Sequence, residues 1–214
     1  DAPFTSLDVL AHELGHLWNF NTARVSANRG GPGGVLEHVC DTIAMLIENR
    51  AGSERDIVRR SGRGGLWTIG EEVRPGPNGV RNINSPAAFD HVKDQRATWT
   101  THQRAGPLNK FFFLLLNGGV HPETRVSVPR RRDPGVIDYD LIRVSRRYQS
   151  LLSRRTLTPN SGYQLFRLAF ERESDREGMS GELVRIHNLA FEAVGISAYN
   201  IRFTGPTKVT RGQS

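Results

Sequence analysis

Cysteine occurs once in the 214 residues, as Cys40. No intramolecular disulfide can form, and a cysteine-based metal cage is excluded. Lysine is scarce as well: of 29 basic residues, only Lys93, Lys110 and Lys208 are lysine and the rest are arginine. The longest uninterrupted apolar run is Phe111–Leu116, far short of the roughly 18 residues that a membrane span needs. Internal repeats and low-complexity segments are absent too. Neither a signal peptide nor a methionine opens the chain, which leads to the expectation of a processed or excised piece.

Hydrophobic residues make up 37% and charged residues 24%, which is enough apolar material for a packed core. Twenty-two acidic residues leave a formal charge of +7, a balance that permits nucleic acid or acidic peptides as partners. The arginines are dispersed, however, and their densest run is only Arg130–Arg132. Aromatic residues do not interleave with them as a single-strand platform requires, so a solvated arginine-rich surface is the plainer reading.

Hydrophobic periodicity predicts a mainly α fold with long loops and little sheet. A first helix is expected over Thr5–Asn28, capped by Thr5 or Ser6, with Asp8 in its first turn. The glycine-rich stretch Arg29–Gly34 ends it, and a second helix follows over Val35–Glu48. Loops are expected over Gly52–Gly65 and Arg74–Asn84, and a buried helix over Pro107–Leu116. Further helices are expected over Tyr139–Arg155, Ser161–Glu173 and Gly181–Ala193. One helical domain over 1–196 and an extended tail over 197–214 complete the organisation.

The chemistry concentrates in His12-Glu13-Leu14-Gly15-His16. Histidines four apart on a helix share a face, so their imidazoles can converge on one metal ion, while the intervening glutamate can reach a water beside it. A catalytic zinc site needs a third protein ligand and an open position. Glu37, near the start of the next helix, is the candidate. Asp41 lies one turn further on the same face and can fix the tautomer of a ligating histidine.

Several ordered segments together resemble the helical domain of thermolysin-like zinc metallopeptidases. They are Thr5–His16, Thr22-Ala23, Glu37–Asp41 with Glu48, Trp67–Glu72, Arg81 with Pro86, His102–Lys110, Leu116–Gly119, Leu157–Asn160 and Ala190–Gly195. The resemblance implies His12, His16 and Glu37 as zinc ligands and Glu13 as general base. It implies His102 as the donor to the oxyanion, and Arg81 and Asn109 as substrate contacts, with Arg81 also steadying Asp41 or the zinc-side carboxylates. It implies a calcium site of which Asp8, Glu48, Glu71 and Glu72 remain, with Leu66 and Thr68 standing where further acids are usual. A tyrosine donor of the family falls at Ala27, and the aspartate behind the oxyanion histidine at Ala97, with Asp94 near. The family's β-rich N-terminal lobe does not appear in these residues and would come from a parent chain or a partner. The implied activity is a zinc endopeptidase acting on peptides or proteins, secreted or exported from a bacterium. The alternative is a weakened peptidase-like domain that keeps zinc and serves in binding.

Overall fold

The computed structural model describes residues 6–27, 30–51, 67–70, 73–74, 79–84, 89–129 and 137–198. The described residues form six α-helices: α1 (Leu7–Asn21), α2 (Gly31–Ala51), α3 (Thr101–Asn117), α4 (Ile137–Ser153), α5 (Tyr163–Arg176) and α6 (Gly181–Ala193). Two antiparallel two-stranded ribbons join them, β1 (Thr68–Ile69) with β2 (Arg81–Asn82), and β3 (Gly119–Val120) with β4 (Ser127–Val128). The expected loop over 74–84 thus contributes a strand that carries Arg81. The loop expected over Gly52–Gly65, and the tail from residue 199 on, lie outside the described residues.

Helix α2 is the axis of the domain, packing against α1 on one side and α3 on the other, with α4 and α5 also touching it. Its residues Val35–Ala44 are all buried, which explains a run that mixes apolar side chains with Glu37, His38, Asp41 and Thr42. Beyond α3, the core is aromatic. Phe111 stacks on Phe191 at 3.9 Å between centroids, and Phe166 and Phe170 meet Phe111 edge-on. Two buried arginines roof this cluster, Arg147 over Phe170 at 4.7 Å and Arg167 over Phe191 at 5.2 Å. Such cation–π contacts let guanidinium groups sit where lysine would be costly.

Three boundaries differ from expectation, each for a local reason. Helix α1 stops at Asn21 rather than Asn28. Asn19 turns its amide onto the chain beyond, donating to the Val25 carbonyl at 3.0 Å and accepting from the Val25 N–H at 2.9 Å. Helix α2 starts at Gly31, so the glycine-rich stretch is its first turn and not a loop. A Cβ on Gly34 would lie 2.7 Å from the Arg104 carbonyl oxygen, so glycine there lets α2 begin flush against α3. Helix α3 starts at Thr101, six residues before the expected Pro107. Its start is a capping box, Thr100 N–H donating to Gln103 Oε1 at 2.8 Å and Gln103 N–H to Thr100 Oγ1 at 3.2 Å. The added turn carries His102.

A candidate metal centre between the first two helices

His12 and His16 stand one turn apart on α1, their ring centroids 4.8 Å apart and their Nε2 atoms 3.1 Å apart. Gly15, between them in sequence, faces α2. A Cβ there would lie 3.1 Å from the Cys40 Cα and Sγ, so the two helices approach as closely as backbone allows. That approach brings Glu37 to the histidines: its Oε2 lies 3.3 Å from His12 Nε2 and 3.8 Å from His16 Nε2. Gly15→Val is expected to wedge the helices apart. Overpacking of this kind costs about 1–3 kcal/mol, and zinc affinity should fall with it. Unchanged thermal stability and unchanged zinc affinity in this variant would show that the close approach is dispensable.

The other face of His12 is fixed by a carboxylate. Its Nδ1 lies 2.9 Å from Asp41 Oδ1, inside the core where Asp41 is fully buried. With Nδ1–H donating to Asp41, the lone pair of Nε2 faces Glu37 and His16. Asp41 is itself held by Arg81 from β2, with Nη2 at 2.7 Å and Nε at 3.0 Å from Oδ1. Asn109 from α3 completes the grip, its amide donating to Asp41 Oδ2 at 2.9 Å. Burial alone would raise the Asp41 pKa, but the Arg81 charge and the donors from His12 and Asn109 hold it below the ordinary carboxylate value. Burial likewise opposes a proton on His12. The carboxylates of Asp41 and Glu37 outweigh it and raise His12 to about 9. For His16 the burial effect wins, and its pKa is lowered.

Glu37 is the informative residue. Burial pushes its pKa up, and the imidazoles of His102 and His12 reverse this and leave it well below the carboxylate range. Its buried Oε2 lies among three imidazole nitrogens, His102 Nδ1 at 2.8 Å, His12 Nε2 at 3.3 Å and His16 Nε2 at 3.8 Å, without a well-formed hydrogen bond to any of them. A buried carboxylate oxygen that lacks a well-formed hydrogen bond is stabilised by a cation. Three atoms each bonded at about 2.0–2.1 Å to one tetrahedral ion stand roughly 3.3 Å from one another. The three contacts here are 3.1, 3.3 and 3.8 Å. Two imidazole nitrogens and one carboxylate oxygen are a donor set that zinc takes, so these residues fit the ion.

Residues 27–196 match the model of the thermolysin metallopeptidase α-helical domain. This chain belongs to the thermolysin metallopeptidase family. A bacillolysin of Bacillus caldolyticus is 30% identical over 208 residues, 91% of this chain and 34% of that protein. The same figures hold for thermolysin of Alicyclobacillus acidocaldarius subsp. acidocaldarius. A bacillolysin of Brevibacillus brevis is 28% identical over 202 residues, 89% of this chain and 33% of its own length. The chain therefore spans about a third of the length of the curated relatives it matches.

Other residues expected at the thermolysin-type site fall at varying distances from the centre. Glu13 is exposed on α1 and close enough to His16 to act on its charge. His102, about half exposed, leans over the centre from the first turn of α3. Its Nδ1 faces Glu37 and lies 3.3 Å from Arg81 Nη1. Asp94 does not serve His102: it sits on a 3-10 turn, in a separate cluster with His91 and Glu123. Asn109 is buried, with its nitrogen on Asp41 and its oxygen 2.8 Å from His38 Nδ1. Of the expected calcium ligands, Glu71 and Glu72 lie outside the described residues. Asp8 already accepts from Ser6 Oγ, from Val9 N–H at 2.7 Å and from Gly70 N–H at 2.5 Å, which ties the start of α1 to the first ribbon. Asp8 and Glu48 alone fall short of the six to eight oxygens that calcium takes.

Sequence reasoning missed the partners behind Asn109. His38 Nε2 lies 2.6 Å from the Tyr148 hydroxyl, so a chain of hydrogen bonds runs Tyr148, His38, Asn109, Asp41, His12. Every donor can point the same way, toward Asp41. The available signal was slight: His38 stands next to Val39 and Cys40 but also beside Glu37, and only its burial shows that its ring needs partners.

Proposed function

We propose that this domain is the helical, metal-holding part of a zinc endopeptidase that hydrolyses peptide bonds. The observation that carries this reading is the convergence of the buried Glu37 Oε2 and the Nε2 atoms of His12 and His16 at ion-ligand spacing. His12, His16 and Glu37 would hold the zinc. Once bound, zinc supplies Lewis-acid polarisation of the scissile carbonyl and a more acidic water.

The chain's own residues do the rest. Glu13 is the general base: on the exposed side of α1, its carboxylate takes a proton from the attacking water and passes it to the leaving amine. His102 turns Nδ1 toward Glu37, which leaves the Nε2 edge to meet the developing oxyanion. Arg81 holds Asp41 and, through it, His12. Asn109 acts as a positioning residue for Asp41 rather than as a direct substrate contact, since it is buried with both amide atoms engaged.

The substrate is a peptide or protein segment, and the cleft is completed by a further lobe. Leu7, Leu10, Leu14 and Leu17 form an exposed apolar seam along α1, each at least 44% exposed, and Phe20 extends it at 69%. Such a seam on a small domain is a surface that another part of the protein covers.

Zinc titration with a competing chelator tests the reading. One zinc per chain is expected. Glu37→Ala should weaken binding by more than the roughly 10–100-fold that loss of an outer partner such as Asp41 costs. A peptide library should be cleaved by the zinc-loaded protein and spared after chelation. A chain that takes up no stoichiometric zinc ends the catalytic reading. Chelator-insensitive binding of peptides without cleavage would favour a binding module.

A further inference from the structure

Behind the metal centre, polar side chains continue through the core across four helices. His12 on α1 meets Asp41 on α2, Nδ1 to Oδ1 at 2.9 Å, and Asn109 on α3 donates to Asp41 Oδ2 at 2.9 Å. Asn109 Oδ1 lies 2.8 Å from Nδ1 of His38, back on α2, and His38 Nε2 lies 2.6 Å from the hydroxyl of Tyr148 on α4. Asp41, His38 and Tyr148 are wholly buried, and Asn109 is 4% exposed. The rings of Tyr148, Phe112 and Phe166 close around the His38 imidazole, with all three centroids within 6.4 Å of it.

Hydrogen-bond chemistry leaves these groups one direction. An ionised carboxylate only accepts, so Asn109 turns its nitrogen to Asp41 and its oxygen to His38. An amide oxygen also only accepts, so His38 carries a proton on Nδ1. Both ring nitrogens face neutral groups in the core, and an imidazole in such surroundings stays neutral, so Nε2 is an acceptor and takes the Tyr148 proton. With the His38 proton on Nε2 instead, two lone pairs would meet across the 2.8 Å between His38 and Asn109. Turning the Asn109 amide to relieve this would set its oxygen against Asp41 Oδ2. Arg81 grips Asp41 through Oδ1, whereas Asn109 is the donor on Oδ2. The tilt of the carboxylate toward His12 therefore depends on Asn109, and the orientation of Asn109 depends on His38. Donors aligned in this way strengthen one another by about 10–30% per bond.

We propose that Tyr148 and His38 are positioning residues of the metal centre. From the far side of the core the phenol fixes the tautomer of His38, and through Asn109 this fixes Asp41 and the lone pair that His12 offers to zinc. The proposal deepens the zinc reading and rests on it for the last step, while the tautomer is observable without metal. Nitrogen–proton correlation NMR of the metal-free chain at neutral pH reads it. A protonated Nδ1 and a bare Nε2 on His38 are expected; the reverse tautomer or a doubly protonated ring would overturn the proposal. Zinc affinity, measured by chelator competition, reads the other end. Loss of an outer partner costs about 10–100-fold, and Tyr148→Phe, three groups behind Asp41, should cost about 3–10-fold. His38→Leu should cost at least as much, and adding Tyr148→Phe to it should cost nothing more, because the phenol acts through His38. Phe191→Leu loosens the stacked pair with Phe111 and touches none of the linked groups, so it should lose stability and keep zinc affinity. Wild-type affinity in Tyr148→Phe, additive losses in the double variant, or an equal loss in Phe191→Leu would overturn the proposal. One zinc per wild-type chain together with any of these results sinks this proposal alone, whereas wild-type protein that takes up no zinc sinks the metal-centre reading and this proposal with it.

Discussion

Glu13→Gln is expected to keep one zinc per chain and to lose about 10²–10⁴-fold in kcat, the range for removal of a general base. The substitution keeps the size and the helix propensity of the side chain and removes only its basicity. Glu13 is exposed and takes no part in the packing of α1 on α2, so folding should be untouched. Its carboxylate acts on the charge of His16 without standing among the three donor atoms that lie within 4.8 Å of one another. KM should therefore change little while kcat falls, the signature of an interaction made only in the transition state. The measurement is steady-state hydrolysis of a quenched-fluorescence peptide, with zinc content determined on the same sample. Zinc loss parallel to activity would instead make Glu13 a ligand, and full activity would move the base elsewhere.

The sequence exposed the centre but not its supports. That His12, His16 and Glu37 come together was legible from spacing: one helical turn for the two histidines, and a helix start for the carboxylate. Asp41 was legible as the residue one turn beyond Glu37. The helices were legible as elements, and the one over Gly181–Ala193 also by its ends. What stayed hidden depends on contacts between helices. No local pattern says that Gly15 meets Cys40, that Gly34 meets Arg104, or that Asn109 reaches Asp41 across 68 residues. The start of α3 was hidden for a different reason. Pro107 reads as a first-turn proline, and the Thr100–Gln103 capping box that outweighs it lies just upstream. Missing that turn left His102 on a loop, when its position over Glu37 depends on the helix.

Acid should unfold the metal-free domain steeply, between about pH 6 and 4, and two buried histidines should account for most of the slope. His38 is fully buried and His187 is 5% exposed. Burial lowers His38 from its ordinary 6.5 to about 4, against smaller opposing effects from Asn109 and Asp41. Burial, reinforced by the Arg147 charge, lowers His187 to about 3. The geometry gives the reason for the second shift: His187 Nε2 lies 3.4 Å from Arg147 Nη1, and an imidazolium would set one cation against another. Both folded values lie below the unfolded one, so the unfolded chain binds protons that the folded chain refuses. Stability is then fully present above about pH 6.5 and is lost as pH falls toward the folded values. Each group contributes about 1.4 kcal/mol per pH unit in that window, and the pair roughly 2.7. By pH 4.5 the loss approaches about 5 kcal/mol, the lower bound of the total stability of an ordinary domain. Urea melts of chelator-treated protein at half-unit pH steps measure the slope directly. His187→Gln keeps a polar group beside Arg147 but cannot take the proton, and it should cut the slope to about half. A slope unchanged in that variant would remove His187 from the account and place the acid lability in the carboxylates around His12.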